Sequence, residues 1–336
     1  MTYELKNILE AYQKAHSQGI RTALATVVAL EGSSYRKPGV TMLLLDNGTM
    51  VGAVSGGCVE KEIYRQAESV FQTGIAKVMS YDGRYRLGCE GVLYILIETF
   101  DPDETFIEHF WKCIQRREPL LMSSYYQKNI IENSNFGTVF NFGKEAIPVL
   151  ANHRPDTSLL EFKQQLEPAL QLFILGAEHD AVQVCGYGSQ TGWEVTLIAP
   201  PTEDKQLSDF KGAKELLAIT PEAFPISKID TQTAIVLMNH NYAKDLQFLI
   251  QLKDTKPFYI GLLGPFKRRE ELLNEFIESC PEVEESFLDA IHGPAGLNIG
   301  AETPQEIAVA IVSEILTVNR SQSPVKLKNK KGSIHS

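Results

Sequence analysis

From the N-terminus, apolar residues recur at helical spacing over positions 4–18 and then give way to a mostly apolar run at 22–30, the pattern of a buried strand. The segment VTMLLLDNGTMVGAV reads as two strands around Asn47-Gly48, a pair that tolerates the positive φ angles of a tight hairpin. Over 59–72 the residues Val59, Ile63, Ala67 and Val70 share one helical face, and Gly74 can cap that helix. Strands fit 76–81, 92–98, 120–126 and 137–142, with a helix over 104–117. Strands of mixed spacing with few helices predict an α+β domain over residues 1–145.

The pattern then changes. LQLFILGA, WEVTLIA, AIVLMNH and PFYIGLLG are short apolar runs, and helices fit the segment after the first run and 242–253, 267–278 and 304–318. Alternating strands and helices predict a parallel sheet with helices on its faces, a Rossmann-like domain over 168–320. Thr303-Pro304-Gln305-Glu306 is a capping box with proline at the first helical position, so the last helix starts there. Residues 146–167 carry Pro148, Pro155 and scattered polar residues and read as the interdomain linker. The expected fold class is α/β: an N-terminal α+β domain followed by a Rossmann-like parallel-sheet domain.

Composition narrows the partners. A chain of 336 residues with 43% hydrophobic content can build two cores. No apolar run approaches the roughly 20 residues that span a bilayer, and the charged N-terminus does not resemble a signal peptide. A soluble, cytoplasmic protein is expected. A net charge of −10 argues against nucleic acid and anionic membrane as partners. The stretch 321–336, with Lys326, Lys328, Lys330 and Lys331, reads as a disordered basic tail. The cysteines at 58, 89, 113, 185 and 280 form no CxxC pair, which argues against a disulfide framework. Cys113 and Cys185 fall in helical patterns and read as buried apolar residues, whereas Cys58 and Cys89 lie in glycine-rich turns.

Three glycine loops carry the candidate chemistry of the first half. EGSSYRKPG holds Arg36 and Lys37. SGGCVE puts Cys58 at a helix N-terminus, where the dipole and free N–H groups favour a thiolate and attract anions. GCEG puts Cys89 in a turn before a strand. Such loops can cradle phosphate or the edge of a pterin, and a thiolate pair can hold a soft metal or sulfur. The plainer reading is tight turns with incidental cysteines.

In the second half, GAEHDA (176–181) follows a strand and opens a helix, as a dinucleotide fingerprint does. Glu178 stands where that fingerprint has its second glycine, and the second strand ends in Ala199-Pro200 rather than the acid that binds ribose. Both departures argue against an ordinary NAD(P) site on this scaffold. Ligands of open α/β sheets bind beyond the carboxyl ends of the strands. That places Gly176, His179, Asp180, His240, Asn241, Tyr242, Gly264, Pro265, Arg268, Arg269 and His292 on one candidate edge.

The runs EGSSYRKPGVTML, GAVSGGCVEKEI and GCEG resemble the N-terminal domain of the XdhC/CoxI family. GAEHDA, GWEVTLIAP, LMNHNYAKD, YIGLLGPFKRREELL and GPAGLNIGAETPQEIAVAIVSEI resemble that family's Rossmann domain, and the likeness spans about residues 10–318. This resemblance implies a maturation factor rather than a stand-alone enzyme. It would bind the molybdenum cofactor (molybdopterin) transiently, support its sulfuration and deliver it to the large subunit of a xanthine dehydrogenase-type molybdenum hydroxylase. A cysteine desulfurase and a second copy of the chain are further partners it admits. It also implies that Cys58 and Cys89 handle molybdenum or sulfur. Arg36, Lys37, Ser55, Gly56, Gly57 and Glu60 would form one cofactor-binding set, and Gly176, His179, Asp180, His240, Asn241, Arg268 and Arg269 another. The family loop GAGHD has Glu178 for glycine here, its GCGG turn has Glu90, its second strand lacks the terminal Asp, and Asn298 stands where Asp is frequent. Two other readings stay open: an NAD(P)-dependent oxidoreductase using the Rossmann domain, and a non-catalytic scaffold that keeps the fold.

Overall fold

The structure is a computed structural model that describes residues 2–32, 37–55, 57–83, 91–129 and 131–330, with Cys58 described by its backbone alone. The chain divides into two compact units, Met1–Pro168 with Leu327–Ser336, and Ala169–Lys326.

The first unit runs α1 (Thr2–His16), β1 (Thr22–Glu31), β2 (Thr41–Leu45), β3 (Met50–Gly52), α2 (Cys58–Thr73), β4 (Lys77–Asp82), β5 (Val92–Thr99) and α3 (Glu104–Arg116). The strands β6 (Leu120–Tyr126), β7 (Gly137–Phe142), β8 (Glu145–Pro148) and β9 (Leu160–Leu166) follow. Its strands form two antiparallel sheets, ordered β3-β2-β1-β5-β4 and β8-β7-β6-β9. Alternation along β1 assigns the faces. Ala23, Ala25 and Val27 pack with Val59, Ile63, Ala67 and Val70 of α2, the face read from the sequence. Leu24 faces α1, α3 and the second sheet, and Val28 faces Tyr126 and Phe136. Burial of each of those α2 side chains larger than alanine is worth about 1.5–3 kcal/mol. Gly74 ends α2 in the left-handed region at φ 70°, and Gly48 has φ 94° in the β2–β3 turn.

The stretch 146–167 is not a bare connection. It contributes most of β8 and all of β9, the two edges of the second sheet. β9 pairs along the whole length of β6, and only Leu166 of β9 is buried. An edge strand with both faces largely open shows no apolar period, which is why it looked like a linker. Within 321–336, Leu327–Asn329 form a single 3₁₀ turn, and residues 331–336 lie outside the described residues.

The second unit runs β10 (Gln171–Leu175), α4 (His179–Gln190), β11 (Glu194–Ala199), β12 (Glu215–Ala218), β13 (Thr233–Leu237) and α5 (Tyr242–Leu252). It continues with β14 (Tyr259–Leu262), α6 (Phe266–Ser279), α7 (Glu285–Asp289), β15 (Ile291–His292) and α8 (Pro304–Asn319). All six strands are parallel, in the order β12-β11-β10-β13-β14-β15. Numbered within the unit this is 3-2-1-4-5-6, the Rossmann order, with its switch point between β10 and β13. One face packs against α4 and α8, the other against α5, α6 and α7. Thr303 caps α8 by accepting from the Glu306 amide, and Glu306 accepts in return from Thr303 N, the reciprocal box read from the sequence. Cys113, Cys185 and Cys280 are free and buried. No described helix is long and apolar enough to cross a membrane.

Candidate functional site

Strand direction decides where the three glycine loops of the first unit go. β1, β3 and β4 run one way and β2 and β5 the other, so alternate connections leave from the same end of the sheet. The β1–β2, β3–α2 and β4–β5 connections share one end, and the Asn47-Gly48 turn lies at the opposite end. Register makes this concrete: Val92 pairs with both Glu31 and Asp82, and Gly52 pairs with Met42. The Gly83 amide donates to the Gly91 carbonyl at 3.0 Å, closing the hairpin that brackets Cys89. Arg36, Gly56 and Cys89 lie outside the described residues, and Cys58 occupies the first position of α2. Lys37 is exposed. Gly39 packs on Gln164 of β9 with φ 97°, a position where a Cβ would collide with the Gln164 side-chain amide.

Glu60, expected to line the pocket, is turned into its own loop. Its carboxylate accepts from the Ser55 amide, from the Ser55 hydroxyl at 3.1 Å and from the Gly57 amide at 2.7 Å. Glu60 is buried. Burial works to raise its pKa, and these hydrogen bonds outweigh burial and hold the carboxyl below its ordinary value. The Ser55 and Gly57 amides, expected to be open to an outside anion, are therefore taken by an internal one. The exposed Gly57 has φ 120° and ψ −33°, and a Cβ there would meet nothing within 4 Å. The loop is thus held by Glu60, and Gly57 is exposed on it.

Two cavities, of about 710 and 390 Å³, share Tyr12, His16 and Asp101 at the other end of this sheet, near Thr22 and Thr99. No described residue of the glycine loops lines them. Among the described residues no group of three or more His, Cys, Asp or Glu side chains could hold a metal ion.

In the second unit the carboxyl ends of β10, β13 and β14 carry the expected residues, with differing fates. Gly176 has φ 131°, and a Cβ there would stand 2.7 Å from the Met238 carbonyl oxygen, so the β10 turn needs glycine. Glu178 is the exposed N-cap of α4 without a side-chain cap bond, and the neighbouring His179 is also exposed. Asp180 is half-buried and His240 exposed. Asn241 and Arg268, expected to line a ligand site, are committed within the protein. Asn241 caps α5 by accepting from the Lys244 amide at 3.1 Å. Arg268 donates to Asp245 at 2.6 Å and to the Asn239 carbonyl at 3.0 Å. Asn239 also donates to Asp245 at 3.0 Å. Burial raises the Asp245 pKa against the pull of Asn239 and Arg268. Arg269 lies along Gly293 and pairs with Glu270, and its Nε is buried without a partner among the described residues.

Sequence reasoning missed Asn239 and Asp245, which lack any local signal. It also missed Glu314, whose signal was an acid inside the apolar run AIVSEIL. Glu314 accepts from Tyr259 at 2.6 Å and from the Gly296 amide at 2.8 Å, and lies 3.7 Å from His292 Nδ1. The His292 ring stacks on Tyr259 at 4.6 Å. Burial opposes ionisation of Glu314, but His292, Tyr259 and Gly296 hold its pKa below the ordinary value.

Residues 15–82 match the XdhC and CoxI family, and residues 172–315 match the XdhC Rossmann domain. A relative from Bacillus subtilis (strain 168), a probable xanthine dehydrogenase subunit, is 30% identical over 319 residues, covering 88% of this chain and 93% of the relative. The chain belongs to the XdhC and CoxI family. Another relative in Escherichia coli (strain K12), the molybdenum cofactor insertion chaperone PaoD, is 24% identical over 326 residues, or 96% of this chain and 91% of its own. A crystal structure of a xanthine dehydrogenase from Bacillus halodurans shares the fold at a TM-score of 0.77 and 24% identity, over 94% of this chain and 96% of that one. The XdhC and CoxI match takes in the first two glycine loops and Cys58 and stops one residue short of the Gly83–Gly91 hairpin closure. The XdhC Rossmann match takes in Gly176, the Arg268–Asp245 pair, His292 and Glu314.

Proposed function

We propose that this chain is an accessory factor of a xanthine dehydrogenase-type molybdenum hydroxylase, carrying the molybdenum cofactor as cargo. It assists sulfuration of the cofactor and inserts it into the large subunit of the hydroxylase. The observation that carries this reading is the convergence of the three glycine loops on one end of the first unit's sheet, two of them bearing Cys58 and Cys89. The name of the E. coli relative, an insertion chaperone, points the same way.

The loops suit such a cargo. Gly57 leaves open space above the β3–α2 turn, which a Cβ would narrow. A cysteine at a helix start supplies the soft donor that molybdenum and sulfur prefer. Lys37 adds positive charge beside the loops for an anionic group. The cargo brings the metal and its dithiolene, and the protein holds and orients it. Cys58 and Cys89 are the residues proposed to handle molybdenum or sulfur. A cysteine desulfurase is the class of partner that would supply the sulfur. Of the second-unit residues, His179, Asp180 and His240 have their side chains exposed or half-exposed.

The test is Cys58→Ala. The expected outcome is lower cofactor retention or lower sulfuration, with thermal unfolding unchanged. Unchanged delivery of sulfurated cofactor by that variant would remove Cys58 from the mechanism.

A further inference from the structure

At the loop end of the first unit, one buried donor has no partner. Tyr81, the penultimate residue of β4, is 6% exposed, and its hydroxyl is closed to water and bonded to nothing among the described residues. Burying a hydroxyl unpaired costs about 1–3 kcal/mol, so such a group in a folded protein calls for an explanation.

Its position is set by the packing of α2 on β4. Tyr81 and Met79 face the α2 side of the sheet, together with Val54 and Val59. Lys77 Nζ donates to Ser69 Oγ at 3.0 Å, which ties the start of β4 to the last turns of α2. From Ser69 back to Cys58 the helix climbs about 16 Å at 1.5 Å per residue. From Lys77 on to Tyr81 the strand climbs about 13 Å at 3.3 Å per residue. The two elements therefore bring Tyr81 and the start of α2 to the same level, beside the Gly83–Gly91 hairpin closure. At that level the Ser55 and Gly57 amides already donate to Glu60. With those two amides taken, Tyr81 holds an unpaired donor for an anion arriving there.

We infer that Tyr81 is a ligand-binding residue of the loop site, its hydroxyl donating to an anionic oxygen of the cargo. This rests on the reading of the chain as a cofactor carrier. The hydroxyl is covered in the structure, so binding displaces part of that cover and the unpaired donor gains its acceptor. Charge-assisted hydrogen bonds of this kind are roughly twice as strong as neutral ones.

Tyr81→Phe removes the hydroxyl and keeps the ring. The probe is molybdenum cofactor released anaerobically from a purified molybdoenzyme, with affinity read by fluorescence titration and apo stability by thermal unfolding. Affinity is expected to fall about tenfold, with the apo midpoint unchanged or raised because an unpaired buried hydroxyl has gone. Equal affinity of wild type and variant overturns the role of Tyr81 and leaves the carrier reading standing. A lowered apo midpoint also overturns it, since the hydroxyl then has a partner within the protein. Failure of the wild type to bind the cofactor overturns the carrier reading and Tyr81's role with it.

Discussion

Glu98 offers the sharpest quantitative test of the first unit. It lies on β5 between the two sheets, 3% exposed, and accepts from the Thr138 hydroxyl at 2.5 Å and the Thr138 amide at 2.9 Å. Thr138 in turn pairs with the Ser124 hydroxyl at 2.7 Å. Burial raises the Glu98 pKa, the two Thr138 bonds pull it back, and the balance leaves it at about 7 against an ordinary 4.5. The folded state therefore holds a proton between those values that the unfolded chain releases. The resulting stabilisation is complete below pH 4.5, declines as pH rises, and is lost once pH passes through 7. The shift of 7 − 4.5 = 2.5 corresponds to about 3 kcal/mol at 1.36 kcal/mol per pH unit. Glu98→Gln keeps the shape and cannot ionise. Urea unfolding from about pH 4.5 to 8.5, in a Trp193→Phe background, leaves Trp111 of the first unit as the reporter. The difference in stability between the parent and Glu98→Gln should change by about 3 kcal/mol across that range. A difference independent of pH would refute the reasoning, because the carboxyl would then titrate alike in both states.

Three further outcomes follow from named contacts. Gly176→Ala meets the Met238 carbonyl and a φ of 131°, and should lower the stability of the second unit by about 2 kcal/mol in denaturant unfolding. Asp245→Ala strands the Arg268 guanidinium and the Asn239 amide, and should cost about 3 kcal/mol, with faster hydrogen exchange at residues 239–241. An undisturbed exchange pattern would show that the pair does not hold that turn. Titration with NAD(H) and NADP(H) should give no micromolar binding, since Glu178 stands at the α4 N-cap where a pyrophosphate would lie; binding in that range would revive the oxidoreductase reading.

Long elements with one buried face were legible in the sequence. The α2 stripe, the Asn47-Gly48 hairpin and the Thr303 capping box all appear where their local chemistry put them. Four edge elements without a clear period were not. β8, β9, β12 and β15 are edge strands, and β15 has two residues, too few to display a period. The same limit applies to the candidate site. Glycines and cysteines marked the three loops, and the alternation of apolar runs and helices marked a parallel sheet but not its strand order.

Local sequence thus decided which segments become helices, strands and tight turns, because periodicity and capping act over a few residues. Only the folded chain decided which polar groups stay available. Antiparallel register brought the three glycine loops to one end of a sheet. Packing committed Arg268 to Asp245, and sealed Tyr81 and Glu98 away from water. These outcomes depend on residues far apart in the chain, so no window of the sequence carries them. Whether a donor or a carboxylate is free to act is set by what long-range packing leaves unpaired.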